Sequence, residues 1–218
     1  MAVLLRSPVE YISALERSMG AQRLYTPAEA AVPWKVPHMR RVGDVVAYTL
    51  DKIGVGANLV IIGGILGHLH DIACAHNQKI AGLTNAPRVL HDWERREVRL
   101  HAPLGAKEAH RGLVATTDHE RLIKASVVTG IGVHHDDLKG RRVSPRQYPD
   151  VDLTELVGVF KIGDGMDAIT DSDRPYSMPV SFDTAAEIIT AENPGERFFD
   201  TPRGVIAQHM AYAFARQR

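Results

Sequence analysis

The chain has 218 residues, 44% of them hydrophobic and 24% charged, enough for one domain with a real core or two small ones. Its 26 basic and 26 acidic side chains cancel, which argues against a protein that coats nucleic acid or an anionic membrane, since both need a basic excess. One cysteine excludes an internal disulfide framework, no apolar run approaches the ~20 residues of a membrane span, and the N-terminal apolar stretch is too short for a signal peptide, so a soluble cytoplasmic protein is expected.

In chain order, "SPVE" at Ser7–Glu10 sets an N-cap serine, an N1 proline and an N3 glutamate in a capping box, and "TPAE" at Thr26–Glu29 repeats that grammar. Val42, Val45, Val46, Leu50 and Ile53 then recur at helical steps, with Gly54 as a C-terminal stop. "ANLVIIGGILGHLHDIACA" (57–75) is apolar nearly all round and reads as a central buried helix, whose Gly63, Gly64 and Gly67 allow neighbouring helices to approach closely. Further helices are expected near 92–110, 119–136, 152–170, 181–192 and 202–216. "SVVTGIGV" (126–133) has a β-like composition but is short and flanked by helical patterns. Residues 136–152, with Pro145 and Pro149, form the longest irregular stretch, and a loop of that length in a helical domain is often functional. The expected fold class is all-α, a helical bundle over 36–218 preceded by a helical extension over 1–35.

Eleven histidines are the outlying feature. His38, the pair His70-Asp71, His101, the pair His134-His135, and Asp164 form a candidate metal set, because imidazole and carboxylate suit iron, manganese and zinc. His70-Asp71 follows an apolar helix, where polar side chains without partners are penalised. His134 and His135 point about 100° apart if helical, which suits two ions better than one. A second His-Asp, His91-Asp92, has no apolar helix in front of it; Asp92 reads as an N-cap with Glu94 in the first turn. His68, two residues from His70, points to the other side of its helix and reads as a packed or surface residue.

The order His, His-Asp, His, His-His, Asp resembles the HD-domain superfamily, and the flanking words resemble its HD-GYP branch from about 36 to 210. "LHDI" (69–72) sits at the His-Asp signature, and "WERREVRLHAPLGAKEA" (93–109) is similar to the helix that carries the next histidine. "GDGMDAITDSDRPYSMPVSFDTAAEII" (163–189) and "FFDTPRGVIAQ" (198–208) are similar to the family's ending. The resemblance implies an all-helical HD domain that binds two or three divalent metals, iron or manganese, and hydrolyses cyclic di-GMP. It makes His38, His70, Asp71, His101, His134, His135 and Asp164 metal ligands, with Asp71 bridging. His70 and Asp71 form the catalytic pair, around a metal-bridged hydroxide that attacks phosphorus in line.

Two departures fall on the substrate side. The family lysine after His-Asp-Ile-Gly is Cys74 here, which supplies no permanent positive charge, and Lys79 reads as a solvated surface residue. The family arginine after the tandem histidines is Asp137, and Gly-Tyr-Pro survives only as Gln147-Tyr148-Pro149. Lys139, Arg141, Arg142 and Arg146, with Tyr148, offer replacement phosphate contacts or form a plain solvated basic loop. Three readings stay open. One is a phosphohydrolase acting on cyclic di-GMP or a related phosphate ester. Another is a catalytically silent module that binds a nucleotide or a signalling protein, and the third is a di-iron oxygenase. The segment before His38 reads as a dimer contact or a lid.

Overall fold

A computed structural model describes residues 8–138, 141–170, 180–192, 198 and 201–215. Among them run twelve helices and no strand, so the all-α expectation holds. They are α1 (Pro8–Ser18), α2 (Gln22–Ala31), α3 (Lys35–Lys52), α4 (Ala57–Leu69), α5 (Ala73–His76), α6 (Gln78–Thr84), α7 (Asp92–Arg99), α8 (His101–Gly112), α9 (Asp118–Val133), α10 (Thr154–Thr170), α11 (Phe182–Glu192) and α12 (Pro202–Ala215).

The bundle forms around α4, whose residues Val60 to Leu69 are all buried, as its unbroken apolar composition dictates. It lies along α3, and α1, α9 and α10 close over its other sides. Gly67 allows the α3–α4 crossing, because a Cβ there would stand 2.4 Å from the Cα of Gly43. Gly54, with φ +74°, turns the chain out of α3 in the left-handed conformation that glycine adopts freely. Ile12, Met19, Leu24 and Ala28 carry α1 and α2 into the same apolar core as α3, α4, α9 and α10.

Several local expectations are corrected. His38 lies inside α3, which opens at Lys35, seven residues before the first of the apolar steps, Val42. Pro37 is tolerated there because the first-turn N–H it lacks has no partner within the helix. Thr26–Glu29 is no helix start: Pro27 lies within α2, on its exposed side, and burial of Leu24 and Ala28 one turn apart overrides the break. The cap of α7 is His91 rather than Asp92, one residue early, with the Glu94 carboxylate accepting from the His91 N–H at 2.8 Å. The expected helix over 92–110 is two helices, α7 and α8, meeting at Leu100. Residues 126–133 are the interior of α9, where Val127, Gly130 and Ile131 face the core. The 136–152 segment is irregular in its described part, pinned by the Leu153 N–H donating to the Val143 carbonyl at 2.8 Å. Ser7 lies outside the described residues.

His68 is packed, as expected of it. Its Nδ1 stands 2.7 Å from Glu16 Oε1, which also accepts from the Tyr25 hydroxyl at 2.8 Å, and its Nε2 is 3.6 Å from Asp44. Burial alone would lower its pKa, but Asp44 and Glu16 outweigh burial and raise it to about 9. The proton is therefore held more tightly in the folded chain than in the unfolded one. The stability it lends is complete below pH 6.5 and lost as the pH rises through about 9. This amounts to about 3 kcal/mol for a shift of that size. Urea unfolding of the metal-free chain between pH 7 and 10 should show a loss that His68→Gln reduces by about that amount, the remainder belonging to His70, whose pKa is raised to about 10. Equal slopes in the two chains would refute it.

Candidate metal centre

Four of the seven candidate ligands are placed by one device, a helix end. His70 is the C-cap of α4, His134 is the C-cap of α9 with His135 next to it, and His101 follows directly on the end of α7. In three of them Nδ1 lies within hydrogen-bond distance of the carbonyl three residues back: Gly67 at 2.8 Å, Val98 at 2.5 Å and Ile131 at 2.7 Å. These carbonyls belong to the final helical turns, where backbone acceptors lack full helical partners. A nitrogen facing a carbonyl carries a proton, so each ring, when neutral, presents its Nε2 lone pair to the interior. His38 reaches the same state differently. Its Nδ1 faces Asp167 Oδ2 at 2.6 Å, and Arg41 holds that carboxylate with Nε at 2.7 Å and Nη2 at 3.0 Å.

The Nε2 atoms converge with two carboxylates. On one side, His38 Nε2 and His70 Nε2 lie 3.2 and 3.5 Å from Asp164 Oδ1, and 3.7 and 3.3 Å from Asp71 Oδ2. On the other, His101 Nε2 lies 3.0 Å from Asp71 Oδ1, 3.0 Å from His134 Nε2 and 3.1 Å from His135 Nε2. Phe160 of α10 is wedged edge-on against His70 and His134, with ring centroids 5.1 and 5.4 Å away, and fixes both rings. The arrangement is two subsites sharing Asp71, one oxygen for each.

This donor set fits cations. Atoms bound to one ion through bonds of about 2.1 Å stand ~3 to 3.4 Å apart, and the donor atoms here lie 3.0 to 3.7 Å apart, close to that spacing. Imidazole lone pairs turned toward one another repel unless a positive charge lies between them, and His70 Nε2 is a buried nitrogen with no hydrogen-bond partner. Burial and the neighbouring imidazoles push His101 down to about 4 and His134 to about 3, so both are neutral and ready to ligate. Against burial, Lys35, His70 and His101 hold Asp71 well below the usual carboxylate range, and His70 and His38 do the same for Asp164. Burial also opposes a charged His70, but Asp71 and Asp164 outweigh it and raise that pKa to about 10. Without a metal, a proton on His70 supplies part of the missing positive charge.

All seven candidate residues are therefore brought together. One expectation is revised: His134 and His135 do not serve different ions but both face His101. The pair directly follows Val133, the last residue of α9, and the two rings lie side by side with centroids 4.0 Å apart. His91 and Asp92 are exposed at the start of α7 and belong to no metal-competent group among the described residues. Lys79 pairs with Glu97 at 2.7 Å on the surface, as expected. In the basic loop, Arg141 reaches Asp136 and the Asp137 carbonyl, Arg142 reaches Asp152 and the Asp150 carbonyl, Arg146 is exposed and Tyr148 half-buried. Lys139 and the "SDRPY" word at 172–176 lie outside the described residues.

Three neighbours of the centre, Lys35, Arg41 and Asp167, carry no expectation from the sequence. Lys35 is buried with its ammonium on Asp71 Oδ2, so the centre has a lysine although position 74 is a cysteine. The buried Cys74 thiol lies 3.9 Å from Asp71 Oδ1. Asp167 and Arg41 orient His38. Helical spacing was the available signal: Lys35 and Arg41 lie three residues either side of His38, and Asp167 three after Asp164. Asp167→Asn should weaken the His38 subsite about 10- to 100-fold while leaving the His101 subsite unchanged, because an orienting carboxylate is worth that much to a ligating imidazole. Chelator competition followed ion by ion measures this, and equal weakening at both subsites would contradict it.

Fold and site together define an all-helical bundle with a buried His/Asp centre shaped for metal ions. Compared with known proteins, the chain matches no family model, and no curated protein or solved structure shows significant similarity to it. Among the described residues, no helix is long and apolar enough to cross a membrane.

Proposed function

We propose that the protein is a metal-dependent phosphohydrolase of the HD-GYP kind, acting on cyclic di-GMP or a related phosphodiester. The observation that carries this reading is Asp71, whose two oxygens face two separate groups of ligand nitrogens. A carboxylate so placed, with His38, His70 and Asp164 on one side and His101, His134 and His135 on the other, would hold divalent ions, iron or manganese given the mixed imidazole and carboxylate donors. Such ions would supply water activation and charge neutralisation at a phosphodiester. His70, Asp71 and Asp164 fix the spacing, Phe160 keeps the imidazoles from turning, and burial of His38, His70 and His134 excludes bulk water from the ligand side. His135, at the rim, marks the open side from which a phosphodiester approaches.

One observation favours a second reading, a catalytically silent module that binds a nucleotide or a signalling protein. Arg141 and Arg142 are engaged with acidic groups of their own loop, and Asp137 beside them repels a phosphodiester. The deciding experiment is elemental analysis of the purified protein, followed by hydrolysis assays on cyclic di-GMP and a chromogenic phosphodiester with iron(II) and with manganese(II). Turnover that requires metal and disappears with His134→Ala supports the hydrolase. Bound metal and bound cyclic di-GMP without turnover supports the module, and full activity in metal-free protein would end the metal reading.

A further inference from the structure

We propose that Lys35 is a built-in competitor for the His38–His70 subsite, so that the centre loads its two ions unequally and the three-imidazole subsite fills first. The inference rests on reading the centre as a metal site and adds an order of loading to it. Lys35 is the first residue of α3, almost fully buried, and its ammonium lies on Asp71 Oδ2. That is the oxygen facing His38 and His70, the one an ion in their subsite would take. The ammonium thus supplies to that oxygen the positive charge that a metal would supply. The other oxygen, Oδ1, faces His101.

The consequence is electrostatic. A dication and an ammonium on one carboxylate oxygen repel each other, and in a buried site water screens that repulsion poorly. Filling the His38–His70 subsite therefore requires Lys35 to leave Asp71, whereas filling the His101–His134–His135 subsite does not. A departing ammonium has a surface beside it, because Nζ already stands 4.8 Å from the ring centroid of Trp34, the half-buried residue before it. Trp34 is fixed in turn by its indole N–H, which donates to Asn85 Oδ1 at 2.9 Å. Lys35 also balances the charge of the buried Asp71, which shares the His38–His70 side with the half-buried Asp164, before metal arrives. It is a positioning residue for the metal-free state and an obstacle to the second ion.

The test is equilibrium dialysis of the full chain against manganese(II), with metal and protein quantified together. The unaltered chain should bind two ions with dissociation constants at least about tenfold apart, the weaker one bearing the cost of displacing a like charge. Lys35→Met, which keeps the stem and removes the charge, should tighten the weaker ion about tenfold or more and leave the tighter one nearly unchanged. A weaker ion unchanged or loosened in Lys35→Met overturns the proposal. Should that variant fold poorly, acetic anhydride labelling of the unaltered chain, read by mass spectrometry, decides. Labelling of Lys35 should rise with the second equivalent of manganese and not with the first; constant or falling labelling overturns the proposal. Two ions of equal affinity that ignore Lys35→Met defeat the loading order alone. Binding no greater than that of Asp71→Ala defeats the metal centre as well.

Discussion

Asp71→Ala should empty both subsites together, a result that no other single ligand substitution in the centre should produce. Each of its oxygens faces one group of nitrogens, so its removal takes a charged ligand from both ions and the only group that links them. The affinity lost at each subsite should exceed about 100-fold, the upper range for merely disturbing an orienting partner of a ligand. His135→Ala, by contrast, should weaken one ion and spare the other, because its Nε2 meets only the His101 side. A stability effect of opposite sense to simple charge removal accompanies this. Asp71 and Lys35 are both buried, and breaking such a pair by removing one partner typically costs about 3 to 5 kcal/mol. The metal-free Asp71→Ala chain should therefore unfold at lower urea than the metal-free parent, although it has lost one of several crowded acidic groups. Dialysis with elemental analysis and urea unfolding measure the two effects separately. Retention of either ion at parental affinity in Asp71→Ala would mean that the carboxylate does not bridge.

The ligand set was legible in the sequence because its chemistry is rare and its order is specific. An imidazole and a carboxylate at the end of an apolar run such as 57–69 have few uses besides binding something. What the sequence hid was spatial. Lys35 lies thirty-six positions from Asp71, and only the packing of α3 along α4 makes them neighbours. That Cys74 brings no positive charge was visible, but a lysine reaching Asp71 from another helix was not, since sequence position does not encode contact between helices. His38 shows a second kind of loss. The apolar steps begin only at Val42, yet a first-turn proline is compatible with a helix that has already begun, and α3 opens at Lys35. The turn that carries Lys35 therefore does not show in the apolar pattern. The tandem histidines were harder to read: the expected helix ran to 136 whereas α9 stops at Val133, and which neighbours the two rings meet is set by the packing of α9 against α8 rather than by spacing along one helix. Helix interiors were readable from periodicity, whereas helix ends depend on tertiary partners, and in this protein the ligands cluster at helix ends.

Gly67→Ala should be the most damaging single methyl addition among the described glycines near the centre. The new Cβ would stand 2.4 Å from Gly43 Cα, 2.5 Å from Gly43 N and 3.0 Å from the Val42 carbonyl carbon. All three are backbone atoms, so no side chain can swing aside, and α3 and α4 must part by about an ångström to restore ordinary carbon contacts. Overpacking of this kind typically costs about 1 to 3 kcal/mol, against a gain of about 1 kcal/mol from the better helix propensity of alanine. Here the upper end applies because backbone meets backbone, leaving a net loss of about 2 kcal/mol and a melting temperature lower by about 6 °C. The same shift strikes the centre. Gly67 supplies the carbonyl that orients His70, and Gly43 lies on the helix that carries His38, so the substitution drives apart the two imidazoles of one subsite. A misplacement of that size is worth about 100-fold where geometry is demanding. Metal affinity should therefore fall at the His38–His70 subsite and hold at the His101 subsite. Gly82→Ala in α6 is the control: a Cβ there meets nothing within 4 Å, so the chain should keep its metal affinity and gain up to about 1 kcal/mol of stability. If Gly67→Ala melts with the parent and binds both ions normally, the close helix crossing is not what sets the distance between His38 and His70.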